Sequence, residues 1–514
     1  MTNERAERFV LAIDLGSGAL KVGTVSLTGE IGAVAERDIE TERLPGGGAV
    51  QDASHWWDLV RELAGEVLAG VPADHVVAVS CTGQWASTVP VDSAGDPVGP
   101  CITWLDTRGA RYSREAIGGP MMGYAPGALV SWIRRTGGIP SPYGGDPVSH
   151  MLLIDRDMPG VADAARWYME PVDYLTMRFT GRAAATHASM CGAWLTDNRR
   201  LDRLSYDSAL VRRAGLDASK LPPLVETSSV AGAVLPEVAG ELGISPEAKV
   251  VTGSPDLHSA AFGTGAIGEG EAHMTISTTS WISLPFARKK TDALRSIATV
   301  PGLDSRSYLV ANNHEAAGLC LRWLREAFHT SEPASFERLV ELAEGASPGS
   351  GGVIFTPWIA GERSPVDDRH ARGGWHNVSA STANAELIRA VLEGVAYNAR
   401  WLNEAVERFA GRRLEPVRIF GGGAISSLWC QIHADVMERR IERVAEPLHT
   451  NLRGAALLAA LALGAVDRDE VRGLVPVDRV FEPDPSAGEA YRRLYAEFPG
   501  LYKAQRKMFA RLNG

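Results

Sequence analysis

The sequence lacks the cysteine pairs that bind zinc or build a disulfide framework. Its five cysteines, Cys81, Cys101, Cys191, Cys320 and Cys430, are widely spread, and none forms a C-x-x-C pair. Paired spacings are typical of zinc sites, and dense cysteines are typical of small secreted domains. We therefore expect a protein of the reducing cytoplasm with no structural metal.

Long apolar runs and an excess of positive charge are also lacking. The longest apolar run, residues 455–466, is well short of the roughly 20 residues that a spanning helix needs. Residues 1–8 are polar and contain no apolar leader core, so we expect no membrane anchor. The 52 Lys and Arg against 62 Asp and Glu give a formal net charge of -10. Nucleic acid and anionic membranes are therefore not predicted partners. A small anionic ligand can still bind, because backbone N–H groups can hold phosphate.

Glycine is abundant, with 54 residues in a chain of 514. The glycines follow no three-residue period, which excludes a collagen-like protein. No short repeat recurs at a fixed period, which excludes solenoids and propellers. The length exceeds one ordinary core and predicts more than one domain.

Apolar, β-branched runs recur along the chain, and each ends in a turn of small residues. These runs cover residues 9–14, 76–82, 249–252, 273–277 and 417–420. Helical patterns lie between them, including one that Ser54 is predicted to cap and one over residues 386–400. The alternation predicts an α/β architecture with ligand loops at the carboxyl ends of strands. The glycine-rich segment 262–271 is a predicted interdomain hinge.

The first glycine turn follows Asp14 and contains Ser17 and Gly18. A dinucleotide-binding or P-loop motif would continue into a helix, but residues 20–27 are rich in β-branched side chains. The segment therefore predicts a strand, a turn and a second strand. Such a turn can direct N–H groups and a hydroxyl at phosphate, while the carboxylate of Asp14 holds Mg²⁺. The alternative is a structural hairpin in which the aspartate only caps the turn.

Asp256 follows another predicted strand, in the segment G-S-P-D at 253–256. A hydroxyl that accepts a phosphoryl group must lose its proton, and a positioned carboxylate can take it. Asp256 is the candidate base, against the alternative of an aspartate that only starts a turn after proline. We interpret the nearby His258 as a core or turn histidine.

Two further turns carry hydroxyls or glycines. Thr278, Thr279 and Ser280 end one predicted strand, and a triple glycine at 421–423 ends another and precedes a predicted helix over 428–437. Hydroxyls at a strand end can contact phosphate, and glycines let the backbone approach a flat purine closely. The triple glycine alone is weak evidence for a nucleotide site.

The motifs together resemble the FGGY family of carbohydrate kinases, most closely its xylulokinase branch. The resemblance spans residues 9–465 and depends on these motifs: D-L-G-S-G-A-L-K-V at 14–22, T-G-Q-W at 82–85, W-L-D-T-R at 104–108, D-Y-L-T at 173–176, G-S-P-D at 253–256, T-T-S at 278–280, A-G-L-C-L-R-W-L at 317–324, G-E-R-S-P at 361–365, A-R-G-G at 371–374, R-A-V-L-E-G-V-A at 389–396 and G-G-G-A-I-S-S-L-W at 421–429. Several of these are weak individually, but their joint order and spacing are specific.

The resemblance implies two actin-like, ribonuclease-H-like domains that face a deep cleft. Residues 1–264 would form the sugar-binding side and residues 265–514 the nucleotide-binding side. The implied activity is Mg²⁺-dependent transfer of the γ-phosphoryl group of ATP to a hydroxyl of a ketose or polyol. Dimers are common in the family, so a homodimer is also an expectation.

The resemblance also implies roles for individual residues. Asp256 would be the catalytic base and would lie with Asp14 at the metal. The other implied residues are Ser17, Gly18 and Lys21 on the first phosphate loop, Thr279 on the second, Gly318, Gly421, Gly422 and Ser426 along the nucleotide, and Gln84, Trp85, Ala86, Asp106, Asp256 and Leu257 around the sugar.

The sequence departs from the family pattern at three places. Gly18 replaces a hydroxyl residue of the first phosphate loop, and Thr278 replaces a glycine of the second. Trp85 and Ala86 stand where xylulokinases carry Met-His and glycerol kinases carry Arg-Glu. An indole beside a methyl group offers stacking and a single donor, which predicts a ketose or polyol other than xylulose. Two alternatives stay open: a degenerate kinase that acts as a sugar-binding regulator, and an actin-like nucleotide-switch protein.

Overall fold

The computed structural model describes residues 5–121, 123–302, 304–327 and 335–514. Its strands are β1 Phe9–Leu15, β2 Ala19–Ser26, β3 Ile31–Asp38, β4 Glu42–Leu44, β5 Gly48–Gln51, β6 Val76–Gly83, β7 Val89–Val91, β8 Cys101–Ile102, β9 Gly118–Met121, β10 Trp167–Met169, β11 Ala185–Thr186, β12 Leu224–Val225, β13 Val230–Ala233, β14 Lys249–Pro255, β15 Ala272–Ile276, β16 Ser280–Ser283, β17 Pro285–Phe286, β18 Thr291–Asp292, β19 Ile297–Pro301, β20 Tyr308–Ala311, β21 Ile354–Thr356, β22 Gly374–His376, β23 Val417–Phe420, β24 Ile441–Val444 and β25 Val477–Phe481.

The helices alternate with these strands in both halves of the chain. They are α1 Ala53–Val67, α2 Ala110–Ile117, α3 Pro126–Arg135, α4 Pro147–Asp157, α5 Pro159–Ala164, α6 Pro171–Thr180, α7 Ser208–Ala214, α8 Pro236–Leu242, α9 Asp256–Thr264, α10 Gly318–Ala327, α11 Phe336–Glu344, α12 Asn384–Ala410, α13 Ser427–Met437, α14 Thr450–Ala462, α15 Val471–Leu474 and α16 Pro485–Asn513. The predicted α/β architecture is confirmed.

Two sheets with the same internal pattern organise the chain. The first has the strand order β13-β14-β6-β1-β2-β3, and the second has the order β16-β15-β23-β24-β25. In the first, β14, β6 and β1 run parallel, and β13, β2 and β3 pair antiparallel. In the second, β15, β23 and β24 run parallel between antiparallel edge strands. Parallel strands end at the same edge of a sheet, so each sheet gathers its carboxyl-end loops on one side.

The predicted hairpin at the first glycine turn is confirmed. β1 pairs antiparallel with β2, and Asp14 lies opposite Lys21. The predicted cap of α1 is wrong: the carboxylate of Asp52 accepts the backbone N–H of Ser54 at 2.8 Å, so Asp52 and not Ser54 is the N-cap. An aspartate side chain at this position satisfies the free N–H groups of the first turn.

The glycine-rich segment 262–271 begins inside a helix. Its first three residues complete α9, and Gly265 ends the helix with a φ of 67°. Gly270 also has a positive φ, of 82°. The segment thus joins the last helix before the second sheet to β15, and its action as a hinge stays a prediction.

Helices α9 and α14 cross at two glycines. A Cβ atom on Gly454 would lie 1.8 Å from the carbonyl oxygen of Ser259, and one on Gly263 would lie 1.8 Å from the carbonyl oxygen of Thr450. The two backbones therefore touch, which only glycine permits. Around this crossing lies one apolar core that includes β1, α9 and α14 together with Phe420 of the second sheet. The core joins the two sheets, although α14 lies in the second half of the chain.

Among the described residues, no helix combines the length and the apolar character needed to cross a membrane.

We predict that Gly454→Ala destabilises the protein by at least about 2 kcal/mol, because the new methyl group must push α9 and α14 apart. The measurement is the melting temperature by differential scanning calorimetry. Gly65→Ala is the matched control: Gly65 is also within a helix, but no atom of the described residues would lie within 4 Å of a Cβ added there, so this variant keeps or gains stability. Equal melting temperatures for Gly454→Ala and wild type would contradict the close crossing.

Candidate active site

Two carboxylates lie at the carboxyl-end edge of the first sheet. Asp14 is the next-to-last residue of β1 and is paired with Thr82 of β6, while Gly83 of β6 is paired with Pro255 of β14. Asp256 follows as the first residue of α9. Asp14 is buried, whereas Asp256 is partly exposed. The strand register thus brings together the two residues predicted to hold the metal.

The charge of Asp14 affects the protonation of Asp256. Withdrawal from water, and then the negative charge of Asp14, raise the pKa of Asp256 to about 7, against the opposing effect of the Leu257 N–H. That N–H donates to Oδ1 of Asp256 at 2.7 Å. Burial also raises the pKa of Asp14, while Lys21 and the Asn451 side chain act in the lowering direction. A cation between the carboxylates would relieve this repulsion.

The chemistry of this pair suits Mg²⁺. Magnesium prefers oxygen ligands and commonly binds through one or two carboxylates, completed by water and substrate phosphates. Asp14 and Asp256 supply two carboxylates, and across the described residues no group of three or more His, Cys, Asp or Glu side chains forms a closed metal cage. An open two-carboxylate set fits Mg²⁺ better than it fits zinc.

The first glycine turn has an open side and an occupied side. Gly18 is exposed, and within the described ranges no atom lies within 4 Å of the position that its Cβ would take. The hydroxyl of Ser17, in contrast, accepts from the Trp104 indole N–H at 3.1 Å and donates to Oε1 of Gln84 at 3.2 Å. The Lys21 ammonium lies 3.6 Å from Glu36. Gly18 is thus exposed and Lys21 partly exposed, whereas Ser17 is bonded to Gln84, a predicted sugar residue.

The loop after β6 carries the predicted sugar residues in a strained conformation. Gly83 has a φ of 151°, and a Cβ there would lie 2.2 Å from the carbonyl oxygen of Leu15. Ala86 has a φ of 58°, in the left-handed region. Trp85 is partly exposed and packs, like Leu257, against the apolar core that joins the sheets. The Gln84 N–H donates to the carbonyl of Leu15, the residue after Asp14, at 2.8 Å, and Leu257 directly follows Asp256, so these two residues lie beside the carboxylate pair.

Asp106 lies deeper than the other predicted sugar residues. Its side chain is fully buried, and the Arg108 guanidinium is 2.7 Å from Oδ2. Oδ2 also accepts from the backbone N–H of Ala49 at 2.9 Å. The carboxylate therefore anchors the loop that follows Trp104, and direct contact with a sugar stays a prediction.

The predicted nucleotide residues gather at the corresponding edge of the second sheet. The turn after β15 contains Thr279, and its Ser277 carbonyl accepts the N–H of Gly318 at 2.7 Å. Gly421 has a φ of 94°, and a Cβ there would lie 2.8 Å from the Ile276 carbonyl oxygen. Ser426 caps α13 by accepting the Trp429 N–H at 3.1 Å. The predicted helix after the triple glycine is confirmed.

An exposed, partly apolar surface lies beside the triple glycine. Gly422 is exposed, and the nearest described atom to a Cβ added there would be Cδ2 of Leu448 at 3.9 Å. Leu448 and Ile425 are 44% and 56% exposed. Exposed apolar side chains beside a glycine backbone can pack against the flat face of a nucleotide base. These residues fit a purine nucleotide.

Segment 447–451 connects the two edges. The Pro447 carbonyl accepts the N–H of Gly421 at 3.0 Å, and the Asn451 side chain is close enough to Asp14 to act on the pKa of that carboxyl in the lowering direction. The segment therefore reaches the triple-glycine turn at one end and the neighbourhood of Asp14 at the other. It lies beside both groups of predicted site residues.

Several residues of this site were missed at the sequence level. Gln51 is 2% exposed and bonds to Gln84 and Ser17, and Asn451 acts on the pKa of Asp14 in the lowering direction. Glu170 is 1% exposed and accepts the Ser87 N–H at 3.3 Å, below the left-handed turn at Ala86. Burial, and then the charge of Asp173, raise the pKa of Glu170 well above its ordinary value. Of these residues, only Glu170 stands out in the sequence, because it is an acid in an otherwise apolar run before D-Y-L.

We predict that Asp256→Asn stabilises the Mg²⁺-free protein at pH 8 but not at pH 4. An unfolded aspartate has a pKa near 3.9, whereas the pKa of Asp256 in the folded protein is about 7. Between these two pH values the folded state binds the Asp256 proton more tightly than the unfolded state does. The free energy of unfolding of wild type therefore falls as the pH rises from about 4 to about 7, and asparagine removes this loss.

The expected gain at pH 8 is about 1 to 2 kcal/mol, reduced from the full shift because Asp256 is partly exposed. The measurement is urea denaturation at both pH values in the presence of EDTA. Asp163→Asn, a change at an exposed residue, is the control and should behave as wild type does. A gain that is equal at both pH values would show that the carboxylate's charge is not its cause.

Comparison with known proteins identifies the family. The model of the N-terminal domain of the FGGY family of carbohydrate kinases matches residues 9–263, and that of the C-terminal domain matches residues 265–463. The chain is 29% identical to a xylulose kinase of Staphylococcus epidermidis over 514 residues, which cover 98% of each protein.

Solved structures show the same fold. The crystal structure of gluconate kinase from Lactobacillus acidophilus aligns with a TM-score of 0.87 and 21% identity, covering 98% of this chain and 100% of that one. Plasmodium falciparum glycerol kinase with ADP aligns with a TM-score of 0.82 and 20% identity, covering 96% and 98%. The two-domain, actin-like architecture is thus confirmed. Because both family models match and together cover most of the sequence, this chain belongs to the FGGY family of carbohydrate kinases and is a phosphotransferase that acts on an alcohol group.

Proposed function

We propose that this protein is an ATP-dependent kinase that transfers the γ-phosphoryl group to a hydroxyl of a ketose or polyol. The observation that carries the proposal is the carboxylate pair of Asp14 and Asp256, which lies between the sugar-side loop and the phosphate turns. We further propose that residues 1–264 form the sugar side and residues 265–514 the nucleotide side. The two family models, which meet between residues 263 and 265, support that division.

The nucleotide would lie along the edge of the second sheet. Ile425 and Leu448 would cover the base, and the backbone of Gly421 and Gly422 would approach the ribose. Thr279 would contact the phosphates from one side, and Gly18 and Lys21 from the other. The open space at Gly18 and Gly422 supports this placement. Bound Mg²⁺ and ATP would supply the phosphoryl group and neutralise its developing charge.

Asp256 is the proposed base. Its Oδ1 accepts the Leu257 N–H, and in the described part of the chain no hydrogen bond is made to Oδ2, which leaves this oxygen for the substrate hydroxyl. The proton of that hydroxyl would pass to Asp256 as the new oxygen–phosphorus bond forms and the bond to ADP breaks. Asp14 would hold the metal, and the nearby Asn451 side chain favours its charged form.

The substrate differs from xylulose in this proposal. Trp85 offers an indole face and one donor, and Ala86 offers only a methyl group that lies close to Gly192. Such a wall favours the apolar face of a sugar and lacks the polar side chains that xylulokinases and glycerol kinases carry there. The activities for which the relatives are named, on xylulose, gluconate and glycerol, define the panel in which the acceptor should be sought.

We predict that purified protein with Mg-ATP releases ADP with at least one member of a panel of ketoses, alditols and aldonates. Asp256→Ala should lower kcat by about 100- to 10,000-fold, because the acceptor proton loses its base. The assay is coupled ADP release, and Asp163→Ala is the control that should keep wild-type kcat. Absence of acceptor-dependent ADP release over the whole panel, or full activity of Asp256→Ala, would overturn the proposal.

We also predict that Trp85→Met combined with Ala86→His introduces recognition of xylulose. Histidine is one of the residues that tolerate the left-handed backbone found at Ala86, so the change is compatible with the loop. The measurement is kcat/KM for xylulose against that for the best acceptor of wild type. A rise of about ten-fold in this ratio is expected. An unchanged ratio in a folded double variant would show that specificity lies elsewhere.

A further inference from the structure

The hydroxyl of Ser17 belongs to a closed ring of hydrogen bonds. The hydroxyl donates to Oε1 of Gln84 at 3.2 Å, and Nε2 of Gln84 donates to Oε1 of Gln51 at 2.8 Å. Nε2 of Gln51 then donates to the backbone carbonyl of Ser17 itself at 2.8 Å. The Trp104 indole N–H enters the ring by donating to the Ser17 hydroxyl oxygen at 3.1 Å.

The direction of every bond in this ring is fixed. An indole N–H can only donate and a carbonyl oxygen can only accept. The Ser17 carbonyl therefore accepts from the amide nitrogen of Gln51, so the amide oxygen of Gln51 faces Gln84. That oxygen accepts from the amide nitrogen of Gln84, so the amide oxygen of Gln84 faces the Ser17 hydroxyl. Because Trp104 already donates to the Ser17 hydroxyl, the single hydroxyl proton must be donated to Gln84.

We propose that this single proton couples the two substrate sites, so that Ser17 donates it either to Gln84 or to a phosphate oxygen of the nucleotide. The coupling rests on the proposed function, which places the nucleotide phosphates at the first turn and the sugar at Gln84. Gln51 is the positioning residue, because it holds the Gln84 amide in the orientation that takes the proton. The geometry thus gives Ser17 a part in both sites.

The cost of moving the proton explains the direction of the coupling. Gln84 is 4% exposed, so its amide oxygen would be left buried without a donor when Ser17 turns to phosphate. A hydroxyl of the acceptor substrate at Gln84 supplies the missing donor. Sugar binding therefore favours nucleotide binding, and phosphate is held weakly while the sugar site is empty.

The test measures nucleotide affinity without any sugar. The probe is β,γ-imido-ATP with Mg²⁺, and the method is isothermal titration calorimetry. Gln84→Met removes the competing acceptor, so we expect its Kd to be about five- to ten-fold lower than that of wild type. In the Ser17→Ala background the same change should have no effect, because no hydroxyl proton is left to release.

Gln505→Met is the matched control, since Gln505 lies on α16 and contacts only His376 among the hydrogen bonds of the described residues. It should leave the Kd unchanged. A tighter Kd is an outcome that general damage to the fold does not produce. An unchanged or higher Kd in Gln84→Met, or a gain that persists with Ser17→Ala, would overturn the coupling.

A second arm reports on the proton itself. In protein labelled with 5-fluorotryptophan, the ¹⁹F resonance of Trp104, assigned with Trp104→Phe, should shift on binding of β,γ-imido-ATP because Ser17 changes partner. The acceptor with the highest rate in the ADP-release panel should lower the Kd of the analogue in wild type and not in Gln84→Met. A ¹⁹F resonance that does not move would overturn the coupling. No binding of the analogue to wild type at all would instead overturn the proposed function.

Discussion

The crossing of α9 and α14 is the constraint on which the site depends. At Gly263 and Gly454 the two backbones are so close that a methyl group on either would overlap a carbonyl oxygen. Asp256 is the first residue of one helix, and Asn451 lies in the first turn of the other. The charge of Asp14 raises the pKa of Asp256, and the Asn451 side chain acts on the pKa of Asp14 in the lowering direction. A change in the crossing would therefore alter the metal-side carboxylates and the contact between the two sheets together.

The same crossing explains why the two halves cannot be treated as separate units. The apolar core around α9 and α14 includes residues of both sheets, and Arg453 of α14 donates to the Gly29 carbonyl at 3.0 Å and to Glu446 at 2.9 Å. A buried arginine is stable only when its donors are used, so this side chain ties the β2–β3 turn to the strand end before α14.

Much of the site could be predicted because it depends on local order. A strand followed by a glycine turn and a second strand placed Asp14, and a strand followed by proline placed Asp256. Gln51, Asn451 and Glu170 could not be found in this way, since the contacts that bring them to the site, with Gln84, Asp14 and Ser87, join residues 33 or more apart along the chain. For Ser17, the position in the turn is local and could be predicted. The direction of its hydroxyl could not, because it is set by the distant residues Trp104 and Gln84.

The cost of burying acids shows where the site differs from a structural core. Glu393 is fully buried, and Arg389 lies 2.8 Å away and balances its charge. Among the described residues, Asp14 and Asp256 have as nearby positive charge only Lys21, which also pairs with Glu36. Folding alone does not favour such an arrangement, since two like charges withdrawn from water destabilise each other. The arrangement becomes favourable when a cation and an acceptor hydroxyl are present. For this reason we propose the carboxylate pair, more than any glycine turn, as the reacting centre.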